Sequence, residues 1–318
     1  GEEITAAQSS NVTLYGKING AIAVDSYSLS LDGDIGVNIY FKFSDPSIVK
    51  QFIFDYGEKT YTLTIPEPEA DGTYKFTASV AAKDYKEAIK CYLELADGSI
   101  DCKTEISVES YIDDILAEKS IYEEKLVRLI TALHDYCEYT SVYFGGDTLD
   151  PNERITAVSE DKVAKYGIAS EKLSEAGVNV SAISVLTKSK TILRLYFTSE
   201  SVPEKITLDG RKEVPVDLGN GLYFVESEGI ASCDLNKDMI FEFVNGDNIG
   251  KFECSVFSYI SLVLKNGNQP EDLKNVVKAL YLYGVAADEY FNNLPDEDEL
   301  PEMKISAKNA NDANRGEK

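Results

Sequence analysis

The chain has 318 residues, with 31 basic and 55 acidic side chains and a formal net charge of −24. This length exceeds what one compact core usually uses, so two domains of about 110–150 residues are expected. The acidic field opposes non-specific binding to nucleic acid or to an anionic membrane surface, and no basic stripe offsets it. No run approaches the ~20 apolar residues of a membrane-spanning helix, so no membrane insertion is predicted.

The first predicted elements are strands. Residues 11–24 are strand-forming, and from residue 37 apolar side chains alternate with Asn38, Tyr40 and Lys42. That period of two is typical of a half-buried strand. The alternating apolar residues are Val37, Ile39, Phe41 and Phe43. Asp71-Gly72 and Asp97-Gly98 supply the positive φ angles that tight hairpins need, so a last hairpin is expected before residue 107.

Two amphipathic helices follow these strands. Apolar residues step along one helical face from Val108 to Leu116, and Ser107 before them is a candidate N-cap. A longer stripe runs from Leu126 to Phe144, and Ser120 with Glu123 has the spacing of a capping box. Tyr136 lies on this stripe, so we predict that it is buried on the strands of its own unit.

The same features recur about 147 residues later. The long stripe returns from Leu273 to Phe291 with the same spacing, and it includes Tyr283, also predicted to be buried. Ser255 precedes a second short stripe, and Pro270 has the place of a first-turn proline. Upstream, residues 192–197 occupy the place of the earlier alternating strand, and Asn220-Gly221 and Asn245-Gly246 match the earlier turns. The recurrence predicts an internal duplication.

These elements predict an α+β fold: two tandem copies of a small antiparallel, sandwich-like β unit, each followed by a two-helix hairpin. The predicted first unit covers residues 11–145 and the second covers 181–293. A connector over 146–180 contains a short helix that starts at Ser159. Residues 1–10 are expected to fray, and the acidic and polar tail over 294–318 is predicted to be disordered.

The sequence predicts no catalytic, cofactor-binding or metal-binding residues. The single histidine, His134, lies beside a buried helical stripe and lacks the partners of a catalytic triad or zinc site. Residues 234–238 begin like a calcium loop, but Met239 and Asn245 replace the required Gly and Glu. Carboxylate pairs stay open, because 55 acidic residues permit almost any pair.

Five cysteines cannot all pair, and no CxxC motif is present. Cys91 and Cys102 flank the Asp97-Gly98 turn, so a disulfide across that hairpin stays possible, although free thiols are favoured. Cys137 lies on a buried helical stripe, where a thiol acts as a small apolar group.

The segments Ala132–Phe144 and Ala279–Phe291 resemble a helix of the pattern A-[LM]-x-x-Y-G-x-x-A-x-x-Y-F, found in large secreted proteins of gut Firmicutes. The strand from Leu31 to Phe41 and the segment from Ser184 to Phe197 are similar to that module's first strand. Cys137 and Thr140 depart from the pattern, where Gly and Ala are usual. The resemblance implies a cell-surface or secreted location and assigns no activity or site residues.

The sequence therefore favours a non-catalytic cell-surface or secreted protein with an adhesion or interaction role. Its partner would be an extracellular protein or a glycan. The chain begins at Gly1, which suggests that a signal peptide has been removed. The alternatives are a carbohydrate-binding module of a larger secreted enzyme and, more weakly, a glycosidase with an unrecognised carboxylate pair.

Overall fold

The computed structural model describes residues 13–15, 22–30, 34–145, 155, 157–292 and 305–306. The strands are β1 (Thr13–Tyr15), β2 (Ile22–Ser30), β3 (Gly36–Phe43), β4 (Val49–Tyr56), β5 (Lys59–Leu63), β6 (Tyr74–Ser79), β7 (Ile89–Leu95), β8 (Ile100–Ile106), β9 (Ala169–Glu171), β10 (Asn179–Thr187), β11 (Thr191–Thr198), β12 (Lys205–Leu208), β13 (Arg211–Glu213), β14 (Val216–Gly219), β15 (Leu222–Glu226), β16 (Met239–Asn245), β17 (Asn248–Cys254) and β18 (Ile305–Ser306). The helices are α1 (Val108–Ala117), α2 (Glu124–Tyr143), α3 (Glu160–Val163), α4 (Val256–Lys265) and α5 (Glu271–Phe291). The chain divides into two compact units, one of residues 1–134 with 294–318 and one of residues 135–293.

Unit 1 contains a five-stranded antiparallel sheet, β1-β8-β7-β4-β5, and a four-stranded one, β18-β2-β3-β6. Phenylalanine rings from both sheets meet in its core: Phe52 of β4 lies 5.9 Å from Phe41 of β3 and 4.7 Å from Phe76 of β6. All three rings are buried. Tyr27 of β2 also reaches Thr104 of β8, with 3.0 Å between the two hydroxyl oxygens. The inner faces of the two sheets therefore form one apolar core.

Unit 2 contains a four-stranded antiparallel sheet, β10-β11-β15-β14, and a five-stranded one, β13-β12-β16-β17-β9. Phe197 of β11 and Phe243 of β16 join the sheets, with ring centroids 5.0 Å apart, and both side chains are buried. Asn220 and Gly221 both have positive φ in the β14–β15 turn, and Gly246 does so between β16 and β17. These predicted turns are confirmed.

Serine caps begin the two short helices. Ser107 and Ser110 exchange hydrogen bonds at the start of α1, and Ser255 and Ser258 do the same at the start of α4. Both predicted N-caps are confirmed, each satisfying an amide that a helix start leaves unpaired. The predicted capping box at Ser120 is wrong, because that residue lies in a 3-10 turn and α2 starts at Glu124.

The prediction of two tandem β units, each closed by its own helical hairpin, is wrong. The described residues form four separate antiparallel sheets with strands in the majority, so α+β fits only loosely. In addition, α2 does not belong to one unit, because the division falls inside it, after His134. The error has a physical source: strands such as β5, β13 and β14 are only three to five residues long and mostly exposed, so each gives too short a pattern to predict a strand.

Tyr136 and Tyr283 are both buried, as predicted. Their rings stack on each other within unit 2, with centroids 5.6 Å apart and planes 10° from parallel. The sequence did not predict this contact between the two recurring helical stripes. An aromatic pair in this arrangement adds about 0.5–1.5 kcal/mol beyond its buried area.

The predicted short helix after Ser159 is confirmed as α3, with Ser159 at its N-cap. The predicted frayed start over 1–10 lies outside the described residues. So does the predicted disordered tail, except for Ile305 and Ser306, which form β18 and pair with β2. Within the part of the chain that the structure describes, no helix has the length and apolarity needed to span a membrane.

Candidate functional site

A cleft of about 400 Å³ lies on unit 1, on the five-stranded sheet. We define the cleft by its lining residues, which are Asp55, Lys90, Cys91, Tyr92, Ile100, Lys103, Thr104 and Glu105. Lys90, Ile100 and Lys103 are exposed, so the cleft opens to solvent. Its volume is within the range of small-molecule and cofactor sites.

Strand register builds the cleft from two neighbouring rows of side chains. Asp55 of β4 faces Lys90 of β7, and Lys90 faces Glu105 of β8. Two residues further along β7, Tyr92 faces Ile53 of β4. Because side chains alternate between sheet faces, Lys90 and Tyr92 lie on the same outer face while Cys91 points into the core. The result is a charged row beside a row centred on one aromatic ring.

Asp55 is the cleft carboxylate that hydrogen bonds hold in place. The Thr60 hydroxyl donates to Asp55 Oδ1 at 2.7 Å, and the Tyr92 phenol donates to Asp55 Oδ2 at 3.4 Å. Burial, followed by the negative charge of Asp55, raises the pKa of Tyr92 above its usual value. The phenol therefore stays protonated at neutral pH and keeps donating to Asp55.

Three charged side chains of the cleft are uncommitted, in the sense that no residue in the described part of the chain engages them. Among the described residues, no hydrogen bond or ion pair within 4.0 Å engages the side chains of Lys90, Lys103 or Glu105. Together with Asp55, the cleft has two positive and two negative groups, in a chain whose net charge is −24. The cleft is locally balanced, and it keeps two donors and one acceptor available for a ligand.

A β-bulge shapes the floor of the cleft. Cys91 pairs with Thr104 and Leu93 pairs with Asp101, so two residues of β8 lie opposite Tyr92 alone. Cys102, one of those two, has φ 51°, in the left-handed region that non-glycine residues seldom adopt. Bulges of this kind redirect side chains and are frequent next to binding sites. Here the bulge places Lys103 beside Tyr92.

The thiols beneath the cleft are inert. Burial and the charge of Asp55 raise the pKa of Cys91 well above its usual value, and burial raises that of Cys102 to about 12. A thiol held protonated is a poor nucleophile and a poor metal ligand. Both cysteines are free: the register pairs Cys91 with Thr104, so the possible disulfide to Cys102 does not form.

None of the other residues named from the sequence lines the cleft. His134 is on α2, and its ring packs edge-on against Tyr85 at 5.9 Å between centroids. Asp234, the first residue of the calcium-like segment, is paired with Lys237 at 2.6 Å. Cys137 is buried on α2, and burial raises its thiol pKa far above the usual value.

Sequence reasoning missed the cleft, although one signal was present. In β7, Lys90, Tyr92 and Glu94 alternate with the buried Cys91 and Leu93, which places a tyrosine on a polar face. The matching hairpin of unit 2 differs at this point. There the fourth residue of β16 is Glu242, which is engaged by Lys251 at 2.8 Å. The aromatic residue with uncommitted charges around it is thus a feature of the unit 1 hairpin.

No protein-family model matches the chain, and no curated protein matches it. The resemblance to a module of secreted Firmicutes proteins therefore stays a prediction.

Proposed function

We propose that the protein is a non-catalytic interaction protein of the cell surface or the extracellular space, and that its partner binds in the cleft of unit 1. The main support is the set of uncommitted charges, Lys90, Lys103 and Glu105, around the half-buried ring of Tyr92. Polar groups that converge in a cleft without partners of their own are what a binding site offers a ligand.

The chemistry of the cleft favours binding over catalysis. The thiol of Cys91, which points into the core beneath the cleft, is held protonated by burial. The two carboxylates of the cleft, on Asp55 and Glu105, lie on β4 and β8, with Lys90 of β7 between them. A glycosidase needs the scissile bond between its two carboxylates, and here the strand that carries Lys90 lies between the strands that carry them.

An array experiment tests the interaction role. Purified extracellular-matrix proteins and oligosaccharides are printed side by side and probed with labelled wild-type protein and with Tyr92→Ala. We expect binding to at least one printed class, and at least tenfold weaker binding by Tyr92→Ala because the ring at the centre of the cleft is lost. Ile240→Ala is the matched control, since Ile240 is an exposed apolar residue on the β16–β17 hairpin of unit 2. Binding that survives Tyr92→Ala, or no binding to either class, would contradict the proposal.

A turnover assay tests the non-catalytic part. We expect no hydrolysis of a broad panel of chromogenic glycosides, esters and peptides, with or without added calcium or zinc. Reproducible turnover that disappears in Asp55→Asn or Glu105→Gln would overturn this part and support the glycosidase alternative.

A further inference from the structure

We infer that the cleft of unit 1 binds an uncharged, hydroxyl-rich ligand, that is, a segment of a neutral glycan. The inference rests on the proposed function, and it narrows the partner to one chemical class. It follows from the order of charges in the cleft, from the aromatic ring beside them and from the openness of the site.

The order of charges selects against a charged ligand. Asp55, Lys90 and Glu105 lie on three adjacent strands, so their signs alternate across the sheet at a spacing of about 4.8 Å. A ligand carboxylate at Lys90 would lie between two protein carboxylates. A ligand ammonium group at Asp55 or Glu105 would lie beside Lys90. Like charges at this distance repel. For either ligand, the attraction to one protein charge is therefore offset by repulsion from the neighbouring protein charge of the ligand's own sign.

A hydroxyl group avoids this conflict, because it both donates and accepts a hydrogen bond. Successive hydroxyls can accept from Lys90 and Lys103 and donate to Glu105, the groups that no described residue engages. A ligand rich in hydroxyls therefore satisfies alternating charges without adding a charge of its own. Sugars present such hydroxyls along one edge at intervals of a few ångströms.

The aromatic row supplies the other half of a sugar site. Tyr92 is half-buried, and its phenol donates a long hydrogen bond of 3.4 Å to Asp55. Ile100, 41% exposed, lies at the same cleft and extends its apolar wall. A half-buried ring with few rotatable bonds offers an apolar surface at little cost in side-chain entropy. The C–H face of a pyranose fits such a surface while its hydroxyls reach the charged row.

Isothermal titration calorimetry with defined tetrasaccharides tests the inference. The neutral probes are cellotetraose, maltotetraose and mannotetraose; the charged probes are tetragalacturonic acid and the chitosan tetramer. We expect at least one neutral probe to bind with a Kd below about 1 mM. The charged probes should bind at least tenfold more weakly. The affinity for the neutral probe should change less than about twofold when salt is raised, because no net charge is neutralised.

Variants link that binding to the cleft. Tyr92→Ala should weaken it at least tenfold and Tyr92→Phe less than about threefold, since Phe keeps the ring. Lys90→Ala, at an exposed position, should weaken it at least threefold, and Ile240→Ala should leave it unchanged.

Three results would overturn the inference: no heat with any neutral probe, tighter binding of a charged probe, or full affinity in Tyr92→Ala. The proposed function fails separately. If no glycan binds but a printed protein is captured in a Tyr92-dependent way, the interaction role stands and the glycan inference is wrong.

Discussion

Gly284 of α5 offers a sharp test of the packing in unit 2, because two opposing effects decide the outcome of Gly284→Ala. Alanine in a helix interior is more favourable than glycine by about 1 kcal/mol. However, a Cβ at this position would lie 2.8 Å from Phe257 Cε1, 2.9 Å from Phe257 Cζ and 3.2 Å from Leu235 Cδ1. Contacts below 3.0 Å require a neighbour to move.

The Phe257 ring has little room to move. It is 1% exposed, and its centroid lies 4.9 Å from the Tyr166 ring and 4.8 Å from the Tyr281 ring. Overpacking of this kind costs about 1–3 kcal/mol. Since the upper part of that range exceeds the helix gain, we expect Gly284→Ala to lower the free energy of unfolding by about 1–2 kcal/mol.

Urea unfolding followed by circular dichroism measures the change. Gly267→Ala is the matched control, because a Cβ there meets no atom within 4 Å, and it should shift the free energy by less than about 0.5 kcal/mol. Phe257→Leu removes the ring edge, so Gly284→Ala in that background should cost at least about 1 kcal/mol less than in wild type. A neutral or stabilising Gly284→Ala in the wild-type background would show that the ring yields and would refute the argument.

Two further predictions concern buried groups. Tyr283→Ala should lower the free energy of unfolding by about 3–5 kcal/mol in the same urea assay, because a buried aromatic side chain is lost. Tyr143 is 39% exposed, so Tyr143→Ala should cost far less. Equal effects of the two variants would contradict the packing described. Burial, followed by repulsion from Asp113 and Glu118, raises the pKa of Asp114 from 3.8 to about 6. The folded protein therefore holds the Asp114 proton more tightly than the unfolded chain does. The stability that this proton binding contributes is complete below pH 4 and is lost as the pH rises through 6. Asp114→Asn should stabilise by about 1 kcal/mol at pH 7.5, a value reduced for partial exposure, and should have no such effect at pH 3.5. A pH-independent effect would contradict this assignment.

Strong local patterns explain what could be predicted from the sequence. The strand β3 has Val37, Ile39 and Phe41 on one face, and the Asn220-Gly221 turn has the residues that positive φ angles demand. The N-caps Ser107 and Ser255 need a hydroxyl at one defined position. Each of these features is set by neighbours within a few residues, so the sequence alone is informative.

Other features depend on residues far apart in the chain. The pattern of α2 predicts a helix with a buried face, but it does not predict that Tyr136 stacks on Tyr283. The cleft combines side chains of β4, β7 and β8, of which only Tyr92 is aromatic. Its residues become neighbours through the register of these strands. A bulge in β8 shifts that register by one residue, and the sequence does not indicate where the shift occurs.

The bulge at Cys102 explains why the hairpin could not be predicted in detail, and it yields a prediction of its own. From the sequence, β8 is expected to be a regular strand, in which Val is a better residue than Cys. In the structure Cys102 has φ 51°, which a β-branched residue adopts only with considerable strain. We therefore expect Cys102→Val to destabilise by about 2 kcal/mol or more, while Cys102→Gly changes stability by less than about 1 kcal/mol. The relief of strain in the glycine variant offsets the loss of a buried side chain.

Cys91→Val is the control, because Cys91 is similarly buried on the neighbouring strand β7 and should tolerate valine within about 1 kcal/mol. If valine is accepted equally well at both positions, β8 has no left-handed residue, and the bulge that places Lys103 beside Tyr92 does not exist.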